Sequence, residues 1–385
     1  MYYRKIKLDL SSSETCFLWG PRQTGKTTLL RQVFPGSRYY DLLLSDLYHK
    51  LLLHPEQIRE ELVAAGVTGE NQRTPVIIDE IQKLPILLDE VHWLIESRKI
   101  RFILCGSSAR KLRRNHANLL GGRAVRYVLF PLVYPEVNDF DIIKALNGGL
   151  LPRHYISASP RRLLQSYIGD YLQQEITAES LTRNVPAFGR FLEIAALSNG
   201  ELVNYNNIAT DCGVSAPTVK EYYRILEDTL LGTMVSAYRI RSKRRIIHAP
   251  KFYFFDVGIV GYLTRRGALQ FGSELFGRAF EHFIYLELLA HSAYSEKFYP
   301  ITYWRTSSGF EVDFILGSHE VAIEVKSADQ IRSRHFSGMR AFLEEHTPSK
   351  AIIVSFDTVP RRTEDGIMIL PWKEFLEQLW GDELL

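Results

Sequence analysis

Gly20-Pro21-Arg22-Gln23-Thr24-Gly25-Lys26-Thr27-Thr28 decides the reading of the first third of this 385-residue chain. The stretch follows the apolar residues 16–19 and precedes Leu29-Leu30, so it joins a predicted strand to a predicted helix. It fits the spacing G-x-x-x-x-G-K-[ST] in the strand–loop–helix context that spacing requires. Glycines let the backbone curl around phosphate oxygens with consecutive N–H groups pointing inward. A helix starting near Lys26 adds its positive end to the same place. Lys26 then reaches the β- and γ-phosphates, and the Thr27 hydroxyl takes Mg²⁺. The nine residues from Gly20 to Thr28 are the candidate phosphate-binding set.

Two further apolar runs end in residues that suit such a loop. Pro75-Val76-Ile77-Ile78 runs into Asp79-Glu80, as a buried parallel strand with two carboxylates at its C-terminal end would. Asp79 can hold Mg²⁺ through water, and Glu80 can polarise the attacking water. Residues 101–105 lead into Gly106-Ser107-Ser108, whose hydroxyls could sense a γ-phosphate or simply cap the next helix. Leu119-Leu120-Gly121-Gly122-Arg123 places a basic residue on a glycine turn before a fifth strand-like run over residues 124–132. Strands alternating with helices predict a parallel sheet with helices on both faces.

Bulk composition limits the function classes. Lys and Arg number 47 against 44 Asp and Glu, a formal charge of +3, so nucleic-acid affinity has to come from local clusters. The 46% hydrophobic and 24% charged content is ordinary for globular chains and excludes wholesale disorder. Cys16, Cys105 and Cys212 are too few and too scattered for a disulfide framework or a metal knuckle. No apolar run approaches the ~20 residues that span a bilayer, and residues 1–10 have no signal-like apolar core. The expectation is a cytoplasmic protein with no membrane association, in two or three domains at ~150 residues each.

In the middle of the chain, Leu163, Leu164, Tyr167, Ile168, Tyr171 and Leu172, then Phe188, Phe191, Leu192 and Ala195, recur at helical spacing and read as core. Residues 204–226 read as a short helix, a turn at Gly213 and a second helix capped by Ser215, a helix-turn-helix with Ala209, Val214, Val219 and Leu226 inside. Beyond it, Arg239-Ile240-Arg241-Ser242-Lys243-Arg244-Arg245 holds five basic residues in seven. That suits the wing of a winged helix following a phosphate backbone; a solvated loop is the plainer alternative. Thr218, Lys220, Arg241, Lys243, Arg244 and Arg245 are the candidate DNA contacts.

The last third yields a hairpin register. With the turn at Ser318-His319, Asp313 lies opposite Glu324, Phe314 opposite Ile323, Leu316 opposite Val321 and Val312 opposite Val325. One face is then wholly apolar and the other carries Asp313, Glu324 and Lys326, while Gly317 can add a bulge. Facing carboxylates repel. A bound Mg²⁺ or Mn²⁺ would relieve that, with Lys326 acting on a metal-bound water or on a phosphate; a structural salt-bridge cluster is the alternative. A long helix from Glu274 to about residue 290 presents Phe276, Phe280, Ile284 and Leu288 along one side.

On the Gly20–Thr27 loop, Asp79-Glu80, the Gly106-Ser107-Ser108 strand end and the Leu120-Gly121-Gly122-Arg123 turn, residues 1–155 resemble the nucleotide-binding domain of prokaryotic AAA-superfamily ATPases. They are most similar to the group whose C-terminal half is a domain of unknown function related to restriction-type nucleases. The resemblance implies Walker A, Walker B and sensor-1 roles for those elements. It also implies a homo-oligomer in which Arg123, or Arg126, is an arginine finger on a neighbour's nucleotide. Residues 266–385 resemble the PD-(D/E)XK nuclease fold through Asp313 and Glu324-Val325-Lys326, with Glu281 at the family's additional acidic position and Val312 where the proline of the name would stand. Residues 156–265 form the helical and winged-helix module between. The expected function is an ATP-driven DNA-processing enzyme joining the ATPase to a metal-dependent nuclease. Its rivals are an ATP-gated switch that binds DNA or protein without cutting, and a scaffold that holds nucleotide structurally.

Overall fold

A computed structural model describes residues 2–8, 14–107, 120–172, 184–239 and 244–385. The chain divides into two compact units. One comprises residues 6–130 and 228–231, the other residues 1–5, 131–227 and 232–385.

The first unit is built on five strands: β1 (Thr15–Trp19), β2 (Tyr39–Asp41), β3 (Val76–Asp79), β4 (Phe102–Gly106) and β5 (Ala124–Val128). They lie in the order β2-β3-β4-β1-β5 and every pairing is parallel. β1, β3 and β4 are buried along their whole length, which is why they read as unbroken apolar runs rather than alternating ones. β5 is the half-exposed edge, and it stops short of the run that reads as strand in the sequence. Flanking helices bury one stripe each; the helix Leu87–Arg98 turns Leu87, Leu88, Val91 and Leu94 inward. Because the strands are parallel and in register, Asp41, Asp79 and Cys105 line up across β2, β3 and β4, and Trp19 pairs with Gly106. The C-terminal strand ends thus converge where the Gly20–Gly25 loop leaves β1.

The second unit contains the helix pair Tyr205–Cys212 and Ala216–Asp228, with Gly213 in the left-handed region (φ 68°) at the turn between them. Asn204 caps the first helix, and the Thr218 N–H donates to Ser215 Oγ at 3.3 Å in the second. Ala209, Val219 and Leu226 are buried as their spacing requires, while Val214 is half-buried. An antiparallel ladder of β6 (Gly232–Val235) and β7 (Lys251–Phe254) follows.

The rest of this unit is a six-stranded sheet in the order β12-β13-β11-β10-β9-β8. Its strands are β8 (Ile301–Arg305), β9 (Glu311–Leu316), β10 (Val321–Val325), β11 (Lys350–Ser355), β12 (Arg361–Arg362) and β13 (Met368–Pro371). Next to its turn the β9–β10 hairpin has the register derived from the sequence, Val321 against Leu316 and Ile323 against Phe314, but the ladder ends there and does not include the expected Asp313–Glu324 and Val312–Val325 pairs. The face assignment is corrected. Thr302 pairs with Ile315 but Trp304 with Val312, so Asp313 and Phe314 both oppose Tyr303 in a β-bulge. Val312 therefore joins Ile315 and Ala322 in one apolar cluster, and Phe314, Leu316, Val321 and Ile323 belong to another. Both faces are buried. The helix Glu274–Tyr294 covers one with Phe276, Phe280, Ile284 and Leu288, and the helix Ser337–Leu343 covers the other.

Candidate functional site

The loop between β1 and the helix Lys26–Val33 is shaped for close backbone approach. Gln23 and Gly25 take positive φ (63° and 94°), and a Cβ at Gly20 would lie 2.5 Å from the Leu129 carbonyl oxygen. The loop braces itself through Thr24 Oγ1, which donates to the Pro21 carbonyl at 2.8 Å. Lys26 is buried, and its ammonium donates to the carbonyls of Gly20 (2.7 Å) and Pro21 (3.0 Å). Among the described residues no side chain caps the Lys26–Val33 helix, and no acid stands in its first turn. Its N-terminal N–H groups thus lack a side-chain acceptor, the need that a phosphate oxygen meets. Arg22, Gln23 and Thr28 are exposed around this loop.

The ends of β3 and β4 complete the site. Thr27 Oγ1 donates to Asp79 Oδ2 at 2.7 Å, and the Tyr39 hydroxyl donates to the same oxygen. The other oxygen, Oδ1, accepts the Glu80 N–H at 3.0 Å. Three donors fix this carboxylate beside the threonine that leads the helix. Burial first, then Asp79, pushes the Tyr39 phenol well above its usual range, so it stays a donor. Glu80 has a left-handed backbone (φ 58°, ψ 41°) as the chain enters the turn Ile81–Lys83. Its carboxylate accepts from Gln82 Nε2, and the same nitrogen lies 3.0 Å from Ser107 Oγ. The residues from Gly20 to Thr28, Asp79, Glu80 and Ser107 are thus gathered at one edge, as their sequence positions require. Tyr39 and Gln82 are additions. Nothing in a Tyr-Tyr-Asp strand or an Ile-Gln-Lys turn marks them beforehand.

Arg123 follows the turn Leu120–Gly122 and pairs with Glu96, holding that carboxyl below its ordinary range. Both side chains are largely exposed, so the pair is held weakly against solvent. Arg126 is exposed on β5.

The acidic cluster in the second unit gathers Glu281, Glu311, Asp313 and Glu324 with Lys251, Lys326 and Arg305. Glu281 accepts from the Tyr253 hydroxyl at 2.5 Å and lies 3.3 Å from Lys251 Nζ. That ammonium is 2.7 Å from Glu311, which also meets Arg305 at 3.1 Å. Asp313 Oδ2 accepts the Val325 N–H at 2.8 Å, and Glu324 pairs with Lys326 at 2.5 Å. Among the described residues no group of three or more His, Cys, Asp or Glu is placed to hold a metal ion. The acids of the cluster have cationic and hydrogen-bonding partners of their own. Burial, then Glu324 and Glu281, raises the Asp313 pKa well above the carboxylate range, and burial raises that of Glu324. Burial would depress the Lys251 ammonium, but Glu281, Tyr253 and Glu311 more than offset it, so it stays charged. Lys251, Lys326 and Arg305 offset the repulsion between the carboxylates. Glu281, expected as a third metal ligand, is a partner of Lys251 and Tyr253.

Of the candidate DNA contacts, Arg241 and Lys243 lie outside the described residues. Lys220 is exposed with its ammonium 5.2 Å above the Tyr205 ring, Thr218 Oγ1 is 2.8 Å from Ser215 Oγ, and Arg245 is exposed. Arg244 pairs with Glu344 and Glu345 (2.6 Å to the latter) and donates to the Ala341 carbonyl at 2.9 Å.

No helix among the described residues is long and apolar enough to cross a membrane. An uncharacterized protein of Mycobacterium tuberculosis is 24% identical over 332 residues, covering 84% of this chain and 72% of that protein. One of Methanocaldococcus jannaschii is 24% identical over 429 residues, covering 96% and 86%. The solved structure of the Aeropyrum pernix ORC1 protein in complex with DNA aligns at 12% identity over 66% of this chain and 86% of that one, with a TM-score of 0.28 that carries no weight for function. Residues 140–270 match a domain of unknown function (DUF8612) and residues 276–375 match another (DUF4143). Residues 12–138, which carry the loop and both strand ends described above, match the AAA domain, and their parallel sheet with helices has the P-loop ATPase fold.

Proposed function

We propose that this chain hydrolyses ATP with Mg²⁺ in its N-terminal domain and uses the cycle to gate nucleic-acid contact by its central helical module, beside a C-terminal domain that does not cut. The observation that carries the first half is the convergence on one strand edge. A helix N-terminus without a side-chain cap, Lys26, the Thr27–Asp79 pair and Glu80 all meet there. Lys26 exchanges the Gly20 and Pro21 carbonyls for phosphate oxygens, and the first-turn N–H groups bind the same anion. Thr27 and Asp79 would hold Mg²⁺, which supplies charge neutralisation on the phosphates. Glu80 takes the proton of the attacking water, and Ser107 orients the terminal phosphoryl group.

Arg123 serves as a finger on a neighbouring copy by leaving Glu96, so turnover rises more than linearly with protein concentration. Loss of such an arginine costs ~10³-fold or more, and an active Arg123→Ala variant with strictly linear turnover would remove this part. We keep residues 1–155, 156–265 and 266–385 as the functional divisions. The helix pair and the ladder after it serve as a winged-helix contact to DNA.

The internal ammonium of Lys251 favours a non-cutting C-terminal domain over the nuclease. The deciding measurement is ATP turnover with and without duplex DNA, beside nicking of labelled duplex, branched and single-stranded DNA in Mn²⁺. Lys26→Ala should lose nucleotide binding, and Glu80→Gln should bind ATP and stall. Wild-type turnover by Glu80→Gln would remove Glu80 as the base. Nicking that disappears in Asp313→Ala would restore the nuclease.

A further inference from the structure

Gln82 is only 4% exposed, and nothing in the roles assigned above uses it. Its amide nitrogen donates to the Glu80 carboxylate and reaches Ser107 Oγ at 3.0 Å. A primary amide nitrogen carries two hydrogens, so one group spans both acceptors. The amide nitrogen faces the Glu80 carboxylate, whose oxygen accepts from it. Space for the amide comes from Gly106. A Cβ there would fall 2.2 Å from Gln82 Oε1 and 2.7 Å from the Trp19 ring. Glu80 itself is held in a left-handed backbone that a non-glycine residue adopts only at a cost. Glu80 and Ser107 follow the ends of neighbouring strands, and the Gln82 side chain bridges them.

We propose that Gln82 is a positioning residue that ties the phosphate-sensing hydroxyl of Ser107 to the carboxylate of Glu80, so that the base is aimed only when the terminal phosphoryl group is in place. The inference rests on reading this edge as an ATP hydrolase. Gln82 touches neither nucleotide nor water in this role. It sets where the Glu80 oxygens lie, and a shift of Ser107 towards a phosphate oxygen reaches Glu80 through the shared amide.

The test compares wild type, Gln82→Met, Ser107→Ala and the double variant in steady-state ATP turnover with Mg²⁺, with binding of a fluorescent ATP analogue measured alongside. Methionine keeps the volume and removes both donors. Gln82→Met should lower kcat about tenfold or more, a share of what a positioned base contributes, while KM and analogue affinity stay unchanged. The double variant should be no slower than the slower single one, because the two act as a unit. Wild-type kcat in Gln82→Met, or losses that multiply in the double variant, would overturn the coupling while leaving the hydrolase reading intact. A wild-type chain that does not turn over ATP fails the hydrolase reading itself and takes this inference with it. Should Gln82→Met fail to bind the analogue, Gln82→Glu decides: it keeps the length, offers an acceptor in place of the donors, and should show the same loss of kcat at unchanged affinity.

Discussion

Lys251 Nζ lies 2.7 Å from a carboxylate oxygen of Glu311, with 3% of the lysine side chain exposed. A buried ion pair is a poor source of stability, but removing one partner strands a charge. Lys251→Met should therefore cost roughly 3–5 kcal/mol in denaturant unfolding. Mn²⁺ should recover part of that loss in the variant and leave wild type unchanged. Equal Mn²⁺ stabilisation of both proteins would mean that the cluster takes a metal beside its lysine.

Tyr39 carries a second expectation. Its hydroxyl and that of Thr27 share one Asp79 oxygen, so Tyr39→Phe removes an orienting donor and leaves the carboxylate in place. Outer-shell partners of a metal-holding group are worth ~10-fold or more in affinity. The Mg²⁺ concentration for half-maximal ATP turnover should rise by about that factor, with saturating turnover close to wild type.

Salt dependence separates Arg244 from its neighbours. Replacing Thr218, Lys220 and Arg245 by alanine should flatten the log–log salt slope of DNA binding by ~0.9 for every phosphate that is no longer neutralised. Arg244→Ala should lower thermal stability and leave that slope alone, since its guanidinium is spent on Glu344, Glu345 and the Ala341 carbonyl. A slope unchanged by the first set would move DNA binding away from the helix pair.

Glu287 predicts a pH dependence of stability. Burial pushes its pKa up to about 8, although the Tyr134 N–H and the Trp380 indole both donate to it. A folded-state pKa raised in this way contributes fully below the unfolded value, and the contribution is lost as pH rises towards the folded one. Between about pH 4.5 and 8, the unfolded chain releases this proton while the folded chain keeps it. Stability should thus fall with pH across that window by up to ~1.4 kcal/mol per unit from this group. Glu287→Gln should flatten the slope, as read from urea midpoints at pH 5, 6, 7 and 8.

What the sequence discloses is local chemistry. The phosphate loop, the Asp79-Glu80 strand end, the Asn204 and Ser215 caps and the β9–β10 register each follow from residues within a dozen positions of one another. What it conceals is long-range. The Tyr39 hydroxyl ends on a carboxylate 40 residues away, and Lys251 meets Glu281 across 30. No periodicity records such contacts. The bulge at Asp313–Phe314 is hidden for a related reason: it lies in the pairing with β8, away from the turn the hairpin itself contains.

Lys251 and Tyr253 come from β7, upstream of the stretch from 276 to 375 that matches a family of its own. Tyr253 also stacks on Tyr285 at 4.4 Å and shares a core with Phe314. A fragment cut to begin at Glu274 would inherit all four acids of the cluster and lose one of their counter-ions together with part of its apolar floor. The last hundred residues are therefore not a portable cassette. In any chimaera or gene fusion they have to travel with the β6–β7 ladder, since a joint falling between the two would part Glu281 and Glu311 from Lys251 and Tyr285 from Tyr253.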